Sequence, residues 1–215
     1  MKPVGFSFLF SLFSLLFITG CATTPSLPPV ENPAATWQTR QAELKPLTAW
    51  TLQGRLAVHA DDKGWQASVH WVRDGERQSI DLAGPLGQGH LRLVKDDHGA
   101  ELRDANRRTW RAGNAEQLLF RATGWRMPLD GMDYWVLGLP SPDPVARREL
   151  DAQGRLKTLA QSGWDIQFLE YSRYGSLDLP SKLFMKRRNG GTGDNLAGES
   201  VLEVRLIVER WSFTK

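Results

Sequence analysis

Two neighbouring segments of the chain alternate strictly between apolar and polar residues. Leu52, Leu56 and Val58 share one phase of the first segment, and residues 65 to 71 repeat the alternation with Trp, Ala, Val and Trp at the odd numbers. A period of two is typical of a strand that buries one face. The Asp-Asp-Lys-Gly turn at 61 to 64 joins the segments, so the pattern predicts two long antiparallel strands.

Shorter segments of the same kind recur along the rest of the chain. They lie at residues 79–82, 91–94, 101–103, 108–111, 156–160, 164–171, 183–186 and 201–213, separated by turn-forming residues. In the last of them Leu206 and Val208 keep one phase and Trp211 takes the other, which predicts a bulge near Arg210. The repeated one-sided pattern predicts a mainly β protein whose antiparallel sheet is strongly curved or closes into a partly open barrel.

Three segments have helical periodicity instead. Thr36 is placed to cap the first helix, in which Trp37 and Leu44 are apolar positions on a charged surface. The second helix is expected at 114–124, between an Asn cap and a terminating glycine, and the third at 128–137. We expect the helices to cover the concave face of the sheet, over either a filled core or a cavity.

The first 20 residues have the composition of a secretory signal peptide, in which Lys2 precedes an apolar run too short to span a bilayer. The run ends in Ile-Thr-Gly-Cys, which resembles the lipobox of bacterial lipoproteins. Cys21 is the only cysteine, and acylation gives it a role that a free thiol in a plain secreted protein would lack. We therefore predict that residues 1–20 are a signal peptide, 21–35 a lipidated Pro-rich tether and 36–215 a single folded domain.

Residues able to carry out catalysis are few and scattered. The formal net charge of +3 is too weakly basic to indicate a nucleic-acid partner. The histidines at 59, 70, 90 and 98 lack the spacing of metal ligands, and catalytic motifs such as GxSxG and HExxH do not occur. The acidic pairs at 61–62 and 96–97 fall in turns, where aspartate is common for structural reasons. We therefore predict no enzyme activity, no catalytic residue, no metal and no cofactor.

Two apolar features need a further explanation. All nine tryptophans lie beyond residue 36, which suits either core packing or an apolar ligand cavity. The turn at 84–87, Gly-Pro-Leu-Gly, lies between two predicted strands and presents Leu86 at its tip. Since a polar residue is usual at such a tip, we interpret Leu86 as a probe for an apolar surface.

These segments, in this order, resemble the LolB family of outer-membrane lipoproteins, which receive other lipoproteins in the Lol sorting pathway. The resemblance covers nearly the whole mature chain and rests on Trp37, Gly54-Arg55, Trp71, the turn at 84–87, the Trp-Val-Leu-Gly-Leu-Pro segment at 135–140, the turn at 151–156, Trp164 and Trp211. The 135–140 segment combined with the Pro-Leu-Gly turn is its most specific part. Residues 189–200 form a long insertion that departs from the family, and we assign it no role.

The resemblance implies an incomplete antiparallel β-barrel with α-helices covering a hydrophobic cavity, a fold shared with the periplasmic carrier LolA. It implies a monomer, anchored by lipid on the periplasmic face of the outer membrane, that accepts acylated lipoproteins from a LolA-like carrier and inserts them into outer-membrane lipid without nucleotide. By the same resemblance, Cys21 is the lipidation site, Gly84, Pro85, Leu86 and Gly87 are the membrane-insertion loop, and Trp37, Trp71, Trp135 and Trp164 are candidate acyl-binding residues.

Two other functions remain open from the residues alone. One is an envelope lipoprotein that binds and retains a small apolar ligand, as lipocalin-like barrels do. The other is a purely structural surface lipoprotein. Co-purification of a second lipoprotein after mixing with a loaded carrier would separate transfer from both.

Overall fold

A computed structural model describes residues 28–60, 63–85, 89–187 and 201–213. The predicted signal peptide, Cys21, Leu86, Gly87 and the 189–200 insertion lie outside the described residues.

The helices are α1 (Pro33–Leu44), α2 (Ala115–Thr123) and α3 (Leu129–Trp135). The strands are β1 (Ala49–Ala60), β2 (Lys63–Asp74), β3 (Arg77–Ala83), β4 (Leu91–Asp96), β5 (Gly99–Asp104), β6 (Thr109–Ala112), β7 (Val145–Leu150), β8 (Leu156–Gln161), β9 (Trp164–Tyr174), β10 (Leu177–Arg187) and β11 (Leu202–Phe213). Within these ranges no helix is long and apolar enough to cross a membrane.

In the part of the chain that the structure describes, the strands form a single antiparallel sheet of eleven strands in the order β6-β5-β4-β3-β2-β1-β11-β10-β9-β8-β7. Its two edges, β6 and β7, are not paired with each other, so the sheet stays open. Helix α1 precedes the strands, and α2 and α3 lie between β6 and β7 in the chain. Helix α2 packs on β4, β5 and β6. The predicted mainly β fold, an incomplete antiparallel barrel with covering helices, is confirmed.

The long strands β1, β2 and β11 lie at the centre of the sheet and build the core. Along each of them buried residues alternate with more exposed ones. The buried row defines the inner face of the sheet, where Trp50 meets Trp71 and Trp211 edge-on, with ring centroids 5.3 and 5.2 Å apart. Such edge-to-face pairs add to the stabilisation from burial alone, and they fix the register of the three central strands.

The predicted bulge in the last strand is confirmed by the pairing of β1 with β11. Gln53 pairs with Arg210 and Gly54 pairs with Val208, so Glu209 is the extra residue. A Cβ atom at Gly54 would lie 2.1 Å from the carbonyl oxygen of Ile207. Only glycine can occupy this position without displacing the backbone of β11.

The predicted cap of the first helix is wrong. The side chain of Asn32 accepts a hydrogen bond from Ala35 N at 3.0 Å, and Pro33 occupies the first turn. Thr36 lies inside α1 and its hydroxyl donates to the carbonyl of Asn32 at 3.1 Å. Asparagine is an equally good cap, and a following proline is already set in the helical φ, so the helix begins one turn earlier.

Strand β7 was not predicted from the sequence. All of its residues from Val145 to Glu149 are exposed, and Leu150 is half-buried. An edge strand with both faces near solvent has no need for apolar alternation, and charged residues there discourage pairing with other chains. The pattern that identified the other strands is therefore missing from this one.

Candidate functional site

An apolar cavity of about 40 Å³ lies between the inner face of the sheet and the helices that cover it. Its lining comes from β1 to β5, from β11, from α2 and α3, and from the loop between these two helices. The residues are Leu56, Val69, Trp71, Ile80, Leu82, Leu91, Leu93, Leu102, Leu119, Met127, Leu129, Met132 and Leu206. All of these side chains are apolar, so a polar ligand would lose its hydrogen bonds to water there without replacement.

The lid over this cavity consists of α2, the 124–128 loop and α3. Helix α2 begins at Ala115 because the side chain of Asn114 accepts a hydrogen bond from Gln117 N at 2.9 Å. It ends at Gly124, whose φ of 78° is left-handed. Both ends were predicted from the sequence, and the buried Leu118 and Leu119 point the apolar side of the helix at the sheet.

Helix α3 is attached to the cavity wall by a buried polar network. Asp133 on α3 forms an ion pair with Arg73 at 3.1 Å and accepts a hydrogen bond from Gln78 Nε2 at 2.8 Å. Gln78 Oε1 in turn accepts from Trp71 Nε1 at 3.1 Å. Trp71 in the cavity wall is thus linked through Gln78 to Asp133 on the lid.

The carboxyl group of Asp133 is held in a mostly apolar environment. Burial raises its pKa above that of an ordinary aspartate, and the Arg73 guanidinium and the Gln78 amide oppose this effect only in part. Within the described residues its Oδ1 atom has no hydrogen-bond partner. Removing one member of a buried pair leaves the charge of the other uncompensated. Loss of either Asp133 or Arg73 should therefore lower the free energy of unfolding strongly.

A second buried attachment is made by the last residue of α3. Trp135, which is fully buried, donates from Nε1 to Gln161 Oε1 at 3.0 Å. Gln161 also accepts from Ser141 N and donates to the carbonyl oxygen of Ser141, each at 3.0 Å. The chain that leaves the lid is therefore fixed to β8.

The four tryptophans predicted to bind acyl chains are not brought together. Trp71 lines the cavity. Trp37 lies buried on α1, with the Arg148 guanidinium 5.9 Å from its ring. Trp135 makes the bond to β8 just described, and Trp164 borders a separate groove on the outer side of the lid. Among the described residues of this set, only Trp71 is a direct wall of the cavity.

Two further tryptophans, which are not among the four predicted acyl-binding residues, pack against each other close in the chain to residues of the cavity lining. Trp65 on β2 and Trp125 in the 124–128 loop pack with ring centroids 5.7 Å apart and planes at 47°. Trp65 belongs to the same phase of β2 as the buried Ala67, Val69 and Trp71, so its ring extends the inner face to the end of the strand. The alternation placed Trp65 on this face from the sequence, but its partner comes from a distant loop.

The predicted membrane-insertion loop begins and ends close to Trp65. Gly84 is buried and Pro85 is exposed, whereas Leu86 and Gly87 lie outside the described residues. Where the chain returns at Gly89, a Cβ atom would lie 3.5 Å from Trp65 Nε1. Gly89, the first described residue after the loop, therefore lies beside the ring of Trp65, and Pro85 before the loop lines the same groove as Trp65.

The four histidines are all exposed. Within the described ranges, no group of three or more His, Cys, Asp or Glu side chains is placed to hold a metal ion.

Comparison with known proteins decides the family. The family model described as outer membrane lipoprotein LolB matches residues 48–211. The chain is 35% identical over 201 residues to the outer-membrane lipoprotein LolB of Nitrosococcus oceani, covering 93% of this chain and 94% of the relative. The chain belongs to the LolB family. It is accordingly an outer-membrane lipoprotein.

Further LolB proteins show the same relationship. The protein of that name from Pseudomonas aeruginosa PAO1 is 32% identical over 200 residues, covering 92% of each chain. Among solved structures, a domain proposed to be an outer membrane lipoprotein-sorting protein of Vibrio parahaemolyticus matches with a TM-score of 0.48 and 10% identity, over 86% of this chain and 94% of that chain.

Proposed function

We propose that this LolB-family protein is the outer-membrane receptor that accepts acylated lipoproteins from a LolA-like periplasmic carrier and inserts them into outer-membrane lipid. The acyl chains of the cargo occupy the cavity between the sheet and the lid. The protein part of the cargo stays outside. Transfer makes and breaks no covalent bond, so it needs neither a catalytic residue nor a nucleotide.

The composition of the cavity lining is the observation that supports this function. Thirteen residues line it and none is polar or charged. An acyl chain loses about 0.8 kcal/mol of unfavourable hydration for each methylene it buries, and it requires no hydrogen bond in return. The lining is thus suited to a hydrocarbon chain and unsuited to a ligand with polar groups.

The size of the cavity indicates how such a ligand is held. A free volume of about 40 Å³ is far below the about 300–1,000 Å³ of pockets that hold bound ligands. An acyl chain therefore fits into this space only if the lid moves outward as the chain enters. A cavity that expands only when cargo binds exposes little apolar surface to water before binding.

The direction of transfer follows from relative affinities. Acyl chains cannot remain in water, so they move from carrier to receptor to bilayer if each step binds them more tightly. In this proposal Cys21 carries the lipid anchor that keeps the receptor at the membrane. The loop of Gly84, Pro85, Leu86 and Gly87 contacts the membrane during release, and Trp71 contacts the acyl chain in the cavity.

A transfer assay tests the function. Carrier loaded with an acylated lipoprotein is mixed with the purified protein, and the cargo is followed by co-purification and then by delivery to liposomes of outer-membrane lipid. We expect the cargo to pass first to the protein and then to the liposomes without ATP. Retention of the cargo with no delivery would contradict the insertion function and favour a protein that stores an apolar ligand.

The matched control is the same cargo without its acyl chains. If the acyl chains occupy the cavity, the unacylated form should not be accepted. Equal acceptance of both forms would mean that the cargo is recognised by its protein surface, and it would overturn the assignment of the cavity.

A further inference from the structure

The lid is held very differently at its two ends. In the C-terminal half of α3, Asp133 is bonded to Arg73 and Gln78 at 3.1 and 2.8 Å, and Trp135 is bonded to Gln161 at 3.0 Å, all among buried side chains. Separating any of these groups would leave a buried polar atom without a partner. This end of the lid is therefore fixed during any opening that leaves the protein folded.

The other end of the lid, at the 124–128 loop, has weaker attachments. Trp125 contacts Trp65 through their rings. At the start of α3, Asp130 forms an ion pair with Lys95, but the Asp130 side chain is 71% exposed, so water and salt weaken the attraction. When the ion pair breaks, water can solvate the exposed carboxylate of Asp130, although the Lys95 side chain is only 19% exposed; in the Arg73–Asp133 pair both partners are buried.

The Trp65–Trp125 contact also stands at the boundary between the cavity and the outside. Met127, two residues after Trp125, and Leu91, two residues after Gly89, both line the cavity. Both indole rings are half-buried. Trp65 and Pro85 also line one common groove, so a chain that entered between the two rings from this groove would next meet the cavity residues Met127 and Leu91.

We infer that Trp65 and Trp125 form the gate through which an acyl chain enters the cavity, with the lid opening at the 124–128 loop and turning about its fixed end at Asp133 and Trp135. This inference rests on the proposed function, because it presumes that the cavity takes up acyl chains. Beyond the proposed function, the inference identifies where the acyl chain enters, which part of the lid moves, and which two residues control the rate of entry. Tryptophan suits this position because its large apolar face seals the entrance in the resting protein and offers a surface for the arriving chain.

The gate is tested by the rate at which the full-length protein takes up a fluorescent 16-carbon fatty acid in stopped-flow mixing. Trp125→Ala removes the ring contact, and we expect the association rate constant to rise between about two- and tenfold, the range that corresponds to an aromatic pair. Trp110→Ala is the matched control, because Trp110 is also half-buried but lies on β6. It should leave the rate within about twofold of the wild-type value.

The converse variant holds the gate shut. Trp65→Cys combined with Trp125→Cys, joined by a flexible bismaleimide that contains a cleavable disulfide, should lose uptake of the fatty acid. Reduction of the linker should restore it, which shows that the protein has stayed folded. The single variant Trp125→Cys, treated with the same reagent, should remain open.

The outcomes separate the gate from the function on which it rests. If Trp125→Ala and Trp110→Ala change the rate equally, or if the cross-linked protein still takes up the fatty acid at the wild-type rate, the chain enters elsewhere and the gate is wrong. If the wild-type protein and all variants fail to bind the fatty acid, the cavity does not bind acyl chains. Both the proposed function of the cavity and the gate are then refuted.

Discussion

Arg73 and Asp133 form an ion pair of 3.1 Å in which the two side chains are only 9% and 5% exposed. The pair joins β2 to the lid, and it leaves no room for water to compensate a lost partner. We expect Asp133→Ala to lower the free energy of unfolding by about 3–5 kcal/mol, because Arg73 would remain buried and uncompensated. Urea denaturation followed by tryptophan fluorescence measures the difference.

The control for this variant is an ion pair of similar length on the surface. Lys182 and Glu170 lie 2.9 Å apart with side chains 43% and 61% exposed. Glu170→Ala should lower the free energy of unfolding by less than about 1 kcal/mol. Equal losses in the two variants would contradict a special role for the buried pair.

The raised pKa of Asp133 predicts a pH dependence of stability. A carboxyl group whose pKa is higher in the folded than in the unfolded chain stabilises the folded protein below its unfolded value of about 3.9, and this contribution is lost as the pH rises through the folded value. Asp133→Asn has no titratable group at this position. The free energy of unfolding of the wild type should therefore fall relative to that of Asp133→Asn as the pH rises above about 4. A difference that stays constant across the pH series would refute the shift.

Gly54 is expected to tolerate no side chain. Its Cβ would lie 2.1 Å from the Ile207 carbonyl oxygen, a backbone atom that cannot move without breaking the β1–β11 pairing. Gly54→Ala should cost about 3 kcal/mol, at the upper end of the range for overpacked sites. The matched variant Gly64→Ala, whose Cβ meets only His59 Nδ1 at 3.6 Å, should stay within about 0.5 kcal/mol of the wild type. Thermal melts of the two variants make the comparison.

Leu86→Glu should separate acceptance of cargo from its insertion. If Leu86 enters the acyl region of the membrane during release, a carboxylate there must be desolvated or protonated, at a cost of roughly several kcal/mol. The variant should fold normally and accept cargo from the carrier, yet fail to deliver it to liposomes, whereas Leu86→Met should deliver it. Normal delivery by Leu86→Glu would rule out insertion of this residue, and failure to accept cargo would assign Leu86 to the receiving step.

Replacement of Cys21 by Ala should abolish acylation, since the chain has no other sulfur acceptor of this kind. Mass spectrometry of the protein from membranes should find the acyl groups on Cys21 in the wild type and an unprocessed or differently processed precursor in the variant. The neighbouring change Thr23→Ala should leave the modification intact. An unmodified Cys21 in the mature wild-type protein would disprove the lipid anchor.

The features that the sequence predicted correctly depend on residues close together in the chain. Helix α2 has its Asn114 cap and Gly124 terminator within a few residues of each other, and the phase change before Trp211 marked the bulge at Glu209. Periodicity detects a strand only where one face is buried. It therefore found β1 and β2 and missed β7, in which exposed residues follow one another without alternation.

The features that could not be predicted depend on pairs that only the fold brings together. Arg73 and Asp133 are 60 positions apart, and each alone resembles an ordinary surface charge. The rings of Trp65 and Trp125 meet because a strand end and a loop converge, and their neighbouring sequences contain no sign of it. Similarly, a count of nine tryptophans suggested a cavity but could not distinguish Trp71, on its wall, from Trp37 and Trp135, which are buried elsewhere.

The unpaired edges of the sheet determine how easily the interior can change its volume. In a closed barrel the circumference is set by a continuous ring of backbone hydrogen bonds, so the bore is rigid. Here β6 and β7 end the sheet without pairing to each other, and the distance between them can grow without breaking a backbone hydrogen bond. Expansion of the interior then has to separate side chains that are held together by dispersion contacts, and each such contact is weak. In the proposed function, the wall of the domain would act as a spring, and acyl chains of different lengths could then occupy a cavity of only about 40 Å³.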